Sequence, residues 1–347
     1  MSLLTKKQDL AMNSPYAVFV TRLGGPEVLQ AKPILLPHPL ADQLVVEHTV
    51  MSVNYVDIYL RAGQPHGHNP TLPFIPGVSA VGRVVSIGSA VKGFEIGDRV
   101  THVNAGVGCY CTHVAVAAER VVKVPEGLDD VRVAAGLLRV LTAQYLLKQM
   151  RPLAPGKTVL VHAAAGGVGQ ILVQWAKRLG LQVIATVGSL AKAETARALG
   201  ADHVINYSTE DFAVEVARIT AGRGVSVVYD SVGRVTFDGS LACCEPKGLV
   251  VNFGTSSGQV ENFALQALHS KSLWICRPTL RTYIAARADL LDMCEEAFAM
   301  LSDSSLRLDI EAVMPLTQAS QAHRLLEGRT TQGAIVLVAD PARLPVT

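Results

Sequence analysis

From Thr158 onward the chain repeats one pattern: a short apolar run, then an amphipathic stretch. The run TVLVHA (158–163) is apolar at consecutive positions, as a strand covered on both sheet faces must be. It leads through AAGGVG (164–169) into GVGQILVQWAKRL (167–179), where Val168, Ile171, Leu172, Trp175 and Leu179 share one helical face. QVIATV (182–187) predicts a second strand, and AKAETARALG (191–200) a helix closed by Gly200. HVINY (203–207), a helix from about Thr209, VSVVYD (225–230), a helix over about 235–244, GLVVNFG (248–254) and SLWIC (272–276) continue the series. Parallel strands need long crossover connections, which helices supply. Six strands alternating with helices therefore predict a doubly wound parallel sheet.

The chain before this series has another character. From Tyr16 to about Pro125 it carries β-like runs, YAVFV (16–20), QLVVEHTV (43–50), AVGRVVSIG (80–88) and THVAVA (112–117), split by Gly and Pro. This predicts an irregular, largely antiparallel β domain. After Pro315 a helix over roughly 317–327 and a strand AIVLVA (334–339) return to complete that first domain. A length of 347 residues fits two domains. The expected division is 1–139 with 305–347 around an inserted domain, 140–304.

Composition narrows the class. At 49% apolar and 17% charged, the chain can fill two cores and is not of the disordered type. Lys plus Arg is 31 and Asp plus Glu 29, so the balance of +2 points to no nucleic-acid partner. No window approaches a membrane span. The first residues lack a long apolar core and read as a short tail rather than a signal peptide. Cysteines 109, 111, 243, 244, 276 and 294 contain no CxxC pair and read as free thiols of a reducing, cytoplasmic setting.

The turn Ala164-Ala165-Gly166-Gly167-Val168-Gly169 is a variant dinucleotide fingerprint, A-x-G-x-x-G. Gly166 lets the backbone approach a pyrophosphate, and Gly169 lets the helix lie close to the strand. Amides from Gly167 on would point at the phosphates. Ala164 replaces the first glycine, so that position is expected to avoid positive φ. In NAD-binding sheets an acid ends the second strand and holds the ribose hydroxyls. Here that strand ends Thr186-Val187-Gly188-Ser189, with no acid until Glu194. The gap leaves room for a 2′-phosphate, with Ser189 as a donor, Lys192 as a cation and Tyr207 at the adenine or the phosphate. NADPH is the expected cofactor.

Longer segments add a resemblance. VNYVDIYLRAG (53–63), GRVVSIGSAVKGFEIGDRV (82–100), LTAQYLL (141–147), HAAAGGVGQILVQWAK (162–177), VINY (204–207), VVYDSVG (227–233), VNFGTSSG (251–258) and GRTTQGAIVL (328–337) span nearly the whole chain. Together they resemble the zinc-independent quinone oxidoreductase (zeta-crystallin-like) branch of the medium-chain dehydrogenase/reductase superfamily. The resemblance implies an α/β chain with a GroES-like, largely antiparallel β domain and a Rossmann domain. It also implies a homodimer, and strand 272–276 is an edge available for pairing. Zinc-dependent alcohol dehydrogenases of the superfamily need a Cys where Asn54 stands and a His within Gly77-Val78-Ser79. This chain has neither, and Cys109 with Cys111 cannot close a tetrahedral site alone. His66, His68, His102 and His113 read as loop or strand histidines, so metal-free chemistry is expected.

Without a Lewis acid a simple ketone is poorly activated, whereas a quinone accepts hydride readily. The resemblance implies that Asn54 orients the nicotinamide or a substrate oxygen, that Asp57 acts beside it or fixes its loop, and that Tyr59 lines the acceptor pocket. It places Thr142 at the nicotinamide and Arg329 near the cofactor phosphates. Val232 and Gly233 follow the fourth strand, and Phe253, Gly254 and Ser256 the fifth, where ligands of such sheets collect. Ser79 stands where relatives carry an acid, and Arg139-Val140 where they carry Lys-Gly. The expected activity is NADPH-dependent quinone reduction. Reduction of an enone or 2-alkenal double bond is the enzymatic alternative; a cofactor-binding protein with a structural or nucleic-acid-binding role is the other.

Overall fold

The computed structural model describes residues 14–64, 69–328 and 331–343. The chain divides into two units, Met1–Ala135 with Ile310–Thr347 and Gly136–Asp309. Both cuts differ from the expected ones by a few residues. The first falls inside a helix that runs on from one unit into the other, so Arg139 belongs to the second unit and not the first.

In the first unit β1 (Tyr16–Val20) pairs antiparallel with β2 (Leu29–Pro33). The long β3 (Gln43–Val53) is followed by α1 (Tyr55–Ala62), then β4 (Ser79–Ile87), β5 (Arg99–Val103), β6 (His113–Ala117) and β7 (Val121–Lys123). β3 pairs with both β4 and β6, β4 with β5, and β5 with β7, all antiparallel. β3 has register breaks between Val45 and Val46 and between His48 and Val50, so its two ends serve different neighbours. One core gathers Val18, Val20, Met51, Val53, Ile58, Leu60 and Tyr110; a second gathers Leu44, Val46, Val84, Val100 and Val121. The short strands β5 and β7 span five and three residues, and their form depends on these neighbours.

The crossing helix α2 (Asp130–Gln144) ends in a π-helical turn, Tyr145–Met150. The second unit then alternates: β8 (Thr158–Val161), α3 (Gly167–Arg178), β9 (Gln182–Val187), α4 (Leu190–Ala198), β10 (His203–Asn206), α5 (Phe212–Ile219), β11 (Val225–Asp230), α6 (Phe237–Cys243), β12 (Cys244–Asn252) and β13 (Trp274–Cys276). The sheet order is β10-β9-β8-β11-β12-β13, parallel throughout, with the reversal between β8 and β11. The doubly wound expectation holds. β12 starts at Cys244, earlier than Gly248, because Cys244 pairs with Val225 ahead of a register break that takes in Lys247, φ 64°. Helices α7 (Leu280–Tyr283) and α8 (Arg287–Ser302) close the unit.

The chain then returns. β14 (Ile310–Pro315), α9 (Ala319–Glu327) and β15 (Ala334–Val338) complete the first sheet, with β15 parallel to β14 and antiparallel to β3. All six cysteines are free thiols. Among the described residues no helix is long and apolar enough to cross a membrane.

Candidate cofactor site and acceptor-side residues

The glycine turn after β8 is held by its own carbonyls. Ala163 carries the left-handed conformation, φ 49°, one residue before the substituted glycine, while Ala164 stays out of that region as expected. The Ala163 carbonyl accepts from the Gly166 amide at 2.8 Å. A Cβ on Gly169 would sit 2.3 Å from that same oxygen, so only glycine lets α3 start this close to the strand. The first i→i−4 bond of the helix runs from the Gln170 amide to Gly166, 2.9 Å. The amides of Gly167, Val168 and Gly169 therefore precede the helical ladder and face outward from its positive end. Ala165 is buried, and its carbonyl accepts from the Gln170 side chain.

At the end of β9 the expected residues come together. Ser189 caps α4, its hydroxyl accepting from the Lys192 amide at 3.3 Å. Tyr207 follows β10, bonds its amide to the Val187 carbonyl, and lays its phenol against Gly188. Glu210, three residues past Tyr207, accepts from the Asn206 amide at the end of β10, 2.9 Å. Asp202 caps the other end of β9, with Lys177 Nζ at 2.7 Å and the Val183 amide at 2.7 Å, and Glu194 is exposed on α4.

The ends of β11 and β12 share one carboxylate that carried no role in the sequence reading. Asp230 is fully buried and accepts from the amides of Val232 (2.8 Å) and Gly233 (2.9 Å) and from the hydroxyls of Thr236 (2.8 Å) and Ser240 (3.0 Å). Gly233 has φ 89° there. Phe253 bonds back to the Asp230 carbonyl, and Ser256 and Gly254 pack on Ser231. His162, also buried, bridges Thr186 of β9 (2.8 Å) and Ser240 (3.1 Å). These bonds tie β8, β9 and β11 at their carboxyl ends, where a dinucleotide would lie. Thr142 is half-buried on α2 and donates to the Leu138 carbonyl, 2.7 Å.

In the first unit Asn54 caps α1. Its amide N–H donates to Asp57 Oδ2 (2.8 Å), and its side-chain Oδ1 accepts from Ser52 (3.3 Å). The side-chain Nδ2 is buried with no acceptor among the described residues. Such an amide is a donor waiting for a carbonyl. Asp57 itself has no exposed surface. It accepts from Tyr110 Oη (3.2 Å) as well as from Asn54, and burial pushes its carboxyl up to about 7. Asp57 thus fixes the start of α1 through the Asn54 backbone amide. Tyr110 in turn receives His323 Nε2 (3.1 Å), since His323 Nδ1 faces the Arg61 guanidinium (3.2 Å) and must accept. Arg61 is 1% exposed and pairs with Glu327, 3.1 Å from Nη1. Tyr59 is also buried, its ring 6.1 Å from that of Tyr55. Ser79 is buried with no partner for its hydroxyl among the described residues. Arg329, His66 and His68 lie outside the described residues.

His102 lies on β5 and His113 opens β6, so both are strand histidines as expected. His102 is a core residue, its Nε2 2.9 Å from Nε2 of His48 on β3. His48 Nδ1 donates to the Cys111 carbonyl (2.9 Å), so His48 Nε2 accepts from His102 and both rings are neutral. Among the described residues no three His, Cys, Asp or Glu side chains are grouped to hold a metal. Burial lowers His48 to about 4, and His102 and His323 to about 3. Groups lowered by folding add stability above their unfolded value, near 6.5, and lose it as pH falls toward the folded one. Asp57, raised to about 7, works in the opposite direction over part of the same window. Three imidazoles outweigh one carboxyl, so the melting temperature is expected to fall as pH drops from about 6.5 to about 4.5. A differential scanning series checks this; a flat profile contradicts it.

Comparison with known proteins follows this geometry. Residues 40–126 match the model of the alcohol dehydrogenase GroES-like domain, and residues 167–300 that of the zinc-binding dehydrogenase. Quinone oxidoreductase 1 of Escherichia coli is 40% identical over 318 residues, covering 91% of this chain and 97% of the relative. A 2-haloacrylate reductase of Burkholderia is 39% identical over 334 residues, covering 93% and 98%. The solved structure of Escherichia coli quinone oxidoreductase complexed with NADPH superposes with a TM-score of 0.90 at 39% identity, covering 93% of this chain and 99% of that one.

Proposed function

Since the chain belongs to the quinone oxidoreductase family of the medium-chain dehydrogenase/reductase superfamily, we propose that it is an NADPH-dependent quinone reductase. The observation that carries the cofactor is the end of β9: no acid ends the strand, Tyr207 lies against Gly188, and Ser189 caps α4 on the Lys192 amide. When bound, NADPH supplies a hydride from nicotinamide C4, and with one proton the quinone becomes a hydroquinone. The residues present fit that group. The amides of Gly167, Val168 and Gly169 receive its diphosphate. Ser189 and Lys192 receive the 2′-phosphate, with Tyr207 beside the adenine. Val232, Gly233, Phe253, Gly254 and Ser256 line the carboxyl ends of β11 and β12, and Thr142 on α2 adds to the set.

On the acceptor side Asn54 Nδ2 donates to a carbonyl oxygen, held in place by Asp57, Tyr110 and His323. A neutral amide where zinc-dependent relatives carry Cys supports metal-free transfer to an acceptor that is already electrophilic. The protein works as a soluble, cytoplasmic homodimer. The exposed Trp274 on edge strand β13 supports pairing there, and the balanced charge supports a small-molecule partner rather than nucleic acid.

The 2-haloacrylate reductase likeness favours a second reading, reduction of an activated carbon–carbon double bond by the same hydride. Parallel steady-state assays with a benzoquinone, a naphthoquinone and a 2-alkenal separate the two. The expected outcome is quinone turnover with the larger kcat/KM, unchanged after exhaustive chelation. A larger kcat/KM for the alkenal transfers the assignment to double-bond reduction, and no turnover of any acceptor leaves a cofactor-binding protein.

A further inference from the structure

We infer that Arg139 is the buried counter-charge for the cofactor's diphosphate. The inference rests on the NADPH reading above and adds a side chain to what that reading draws from backbone amides. Arg139 lies on α2 in the same unit as the glycine turn. It is 7% exposed. Its guanidinium lies against Gly167, the first residue of α3: a Cβ built there would sit 2.7 Å from Cζ and 2.8 Å from Nε. Glycine at 167 thus leaves the space that the guanidinium fills.

Among the described residues the guanidinium has neither a carboxylate partner nor a hydrogen-bond acceptor, and desolvation pulls its pKa down to about 10. Two costs meet here. A cation is withdrawn from water without compensation, and it sits at the positive end of a twelve-residue helix. An anion bound at that helix end removes both costs. The guanidinium carries five N–H donors in a planar fork, suited to two oxygens of one phosphate or to neighbouring phosphates. The turn after β8 is where the diphosphate of a dinucleotide belongs; the 2′-phosphate falls at the end of β9, by Ser189 and Lys192. Arg139 therefore reads the diphosphate and not the adenosine end.

That division gives the test. Wild type, R139K and R139Q are titrated with NADPH, followed by nicotinamide fluorescence, and with adenosine 2′-monophosphate, followed by calorimetry. R139Q is expected to raise the NADPH Kd by about 10-fold to 100-fold. R139K, which keeps the charge but loses the fork, is expected to raise it by about 3-fold to 10-fold. Both variants are expected to bind adenosine 2′-monophosphate as wild type does, which also shows that they are folded. Should R139Q not fold, R139K carries the test alone. An NADPH Kd unchanged in the folded variants overturns the inference, as does equal weakening of both ligands. A wild type that does not bind NADPH overturns the cofactor reading together with this inference, whereas tight wild-type binding insensitive to Arg139 overturns the inference only.

Discussion

Replacing Asp230 by alanine is expected to cost about 3–5 kcal/mol of stability and to abolish measurable NADPH binding. The carboxylate accepts from two amides and two hydroxyls, all in a region with no access to water. Alanine leaves the Val232 and Gly233 amides without acceptors and without solvent, which is the costly way to lose a hydrogen bond, while the Thr236 and Ser240 hydroxyls fall back on the Gly233 and Thr236 carbonyls. The amides belong to Val232 and Gly233, so the turn that follows β11 loses its anchor along with the stability. Through Ser240 and His162 the damage reaches the end of β9. A fall in melting temperature of about 6 °C or more is the expected readout, with NADPH titration in parallel. A D230A protein that melts like wild type and binds NADPH normally would refute this role.

Arg61→Met is the second large effect, about 3 kcal/mol. Arg61 is buried, and it donates to Gly24, His323 and Glu327 at once. Methionine fills much of the volume but donates nothing, so the Gly24 carbonyl and His323 Nδ1 lose their donors. The functional consequence travels along a directed chain. With Arg61 gone His323 is free to change tautomer, Tyr110 loses its defined donor, and Asp57 no longer holds Asn54 in one geometry. With a quinone, kcat is expected to fall more than the affinity for NADPH, because these bonds end at the acceptor-side amide proposed for Asn54. Melting temperature and a split of kcat from the NADPH Kd check it. An unchanged melting temperature, or a loss confined to NADPH affinity, contradicts it.

What the residues announce along the chain and what they do not can be compared element by element. The strands of the second unit are legible because each is buried on both faces and bounded by Gly or by an amphipathic helix; QVIATV and VSVVYD match β9 and β11 residue for residue. The glycine turn is legible for the same local reason. Asp230 is passed over inside VVYDSVG, although its donors, the Val232 and Gly233 amides and the Thr236 and Ser240 hydroxyls, all lie within ten residues of it. His48 and His102 stand far apart in sequence and meet only because β3, β4 and β5 pair in order. Arg139 stands out in sequence merely as a departure from a pattern. Its meaning depends on which unit holds it and on what lies beside Gly167. One signal was within reach: Asn54 followed three residues later by Asp57 has the spacing of a helix-capping pair, and it marks α1 and the structural role of Asp57 together.

The central claim is that an NADPH site delivers hydride to a quinone. The most direct test is the initial rate of benzoquinone reduction with NADPH and with NADH at equal concentrations. With Ser189 and Lys192 proposed for the 2′-phosphate and no acid ending β9, kcat/KM is expected to favour NADPH by about 10-fold or more. Equal rates with the two cofactors, or a preference for NADH, would contradict the account.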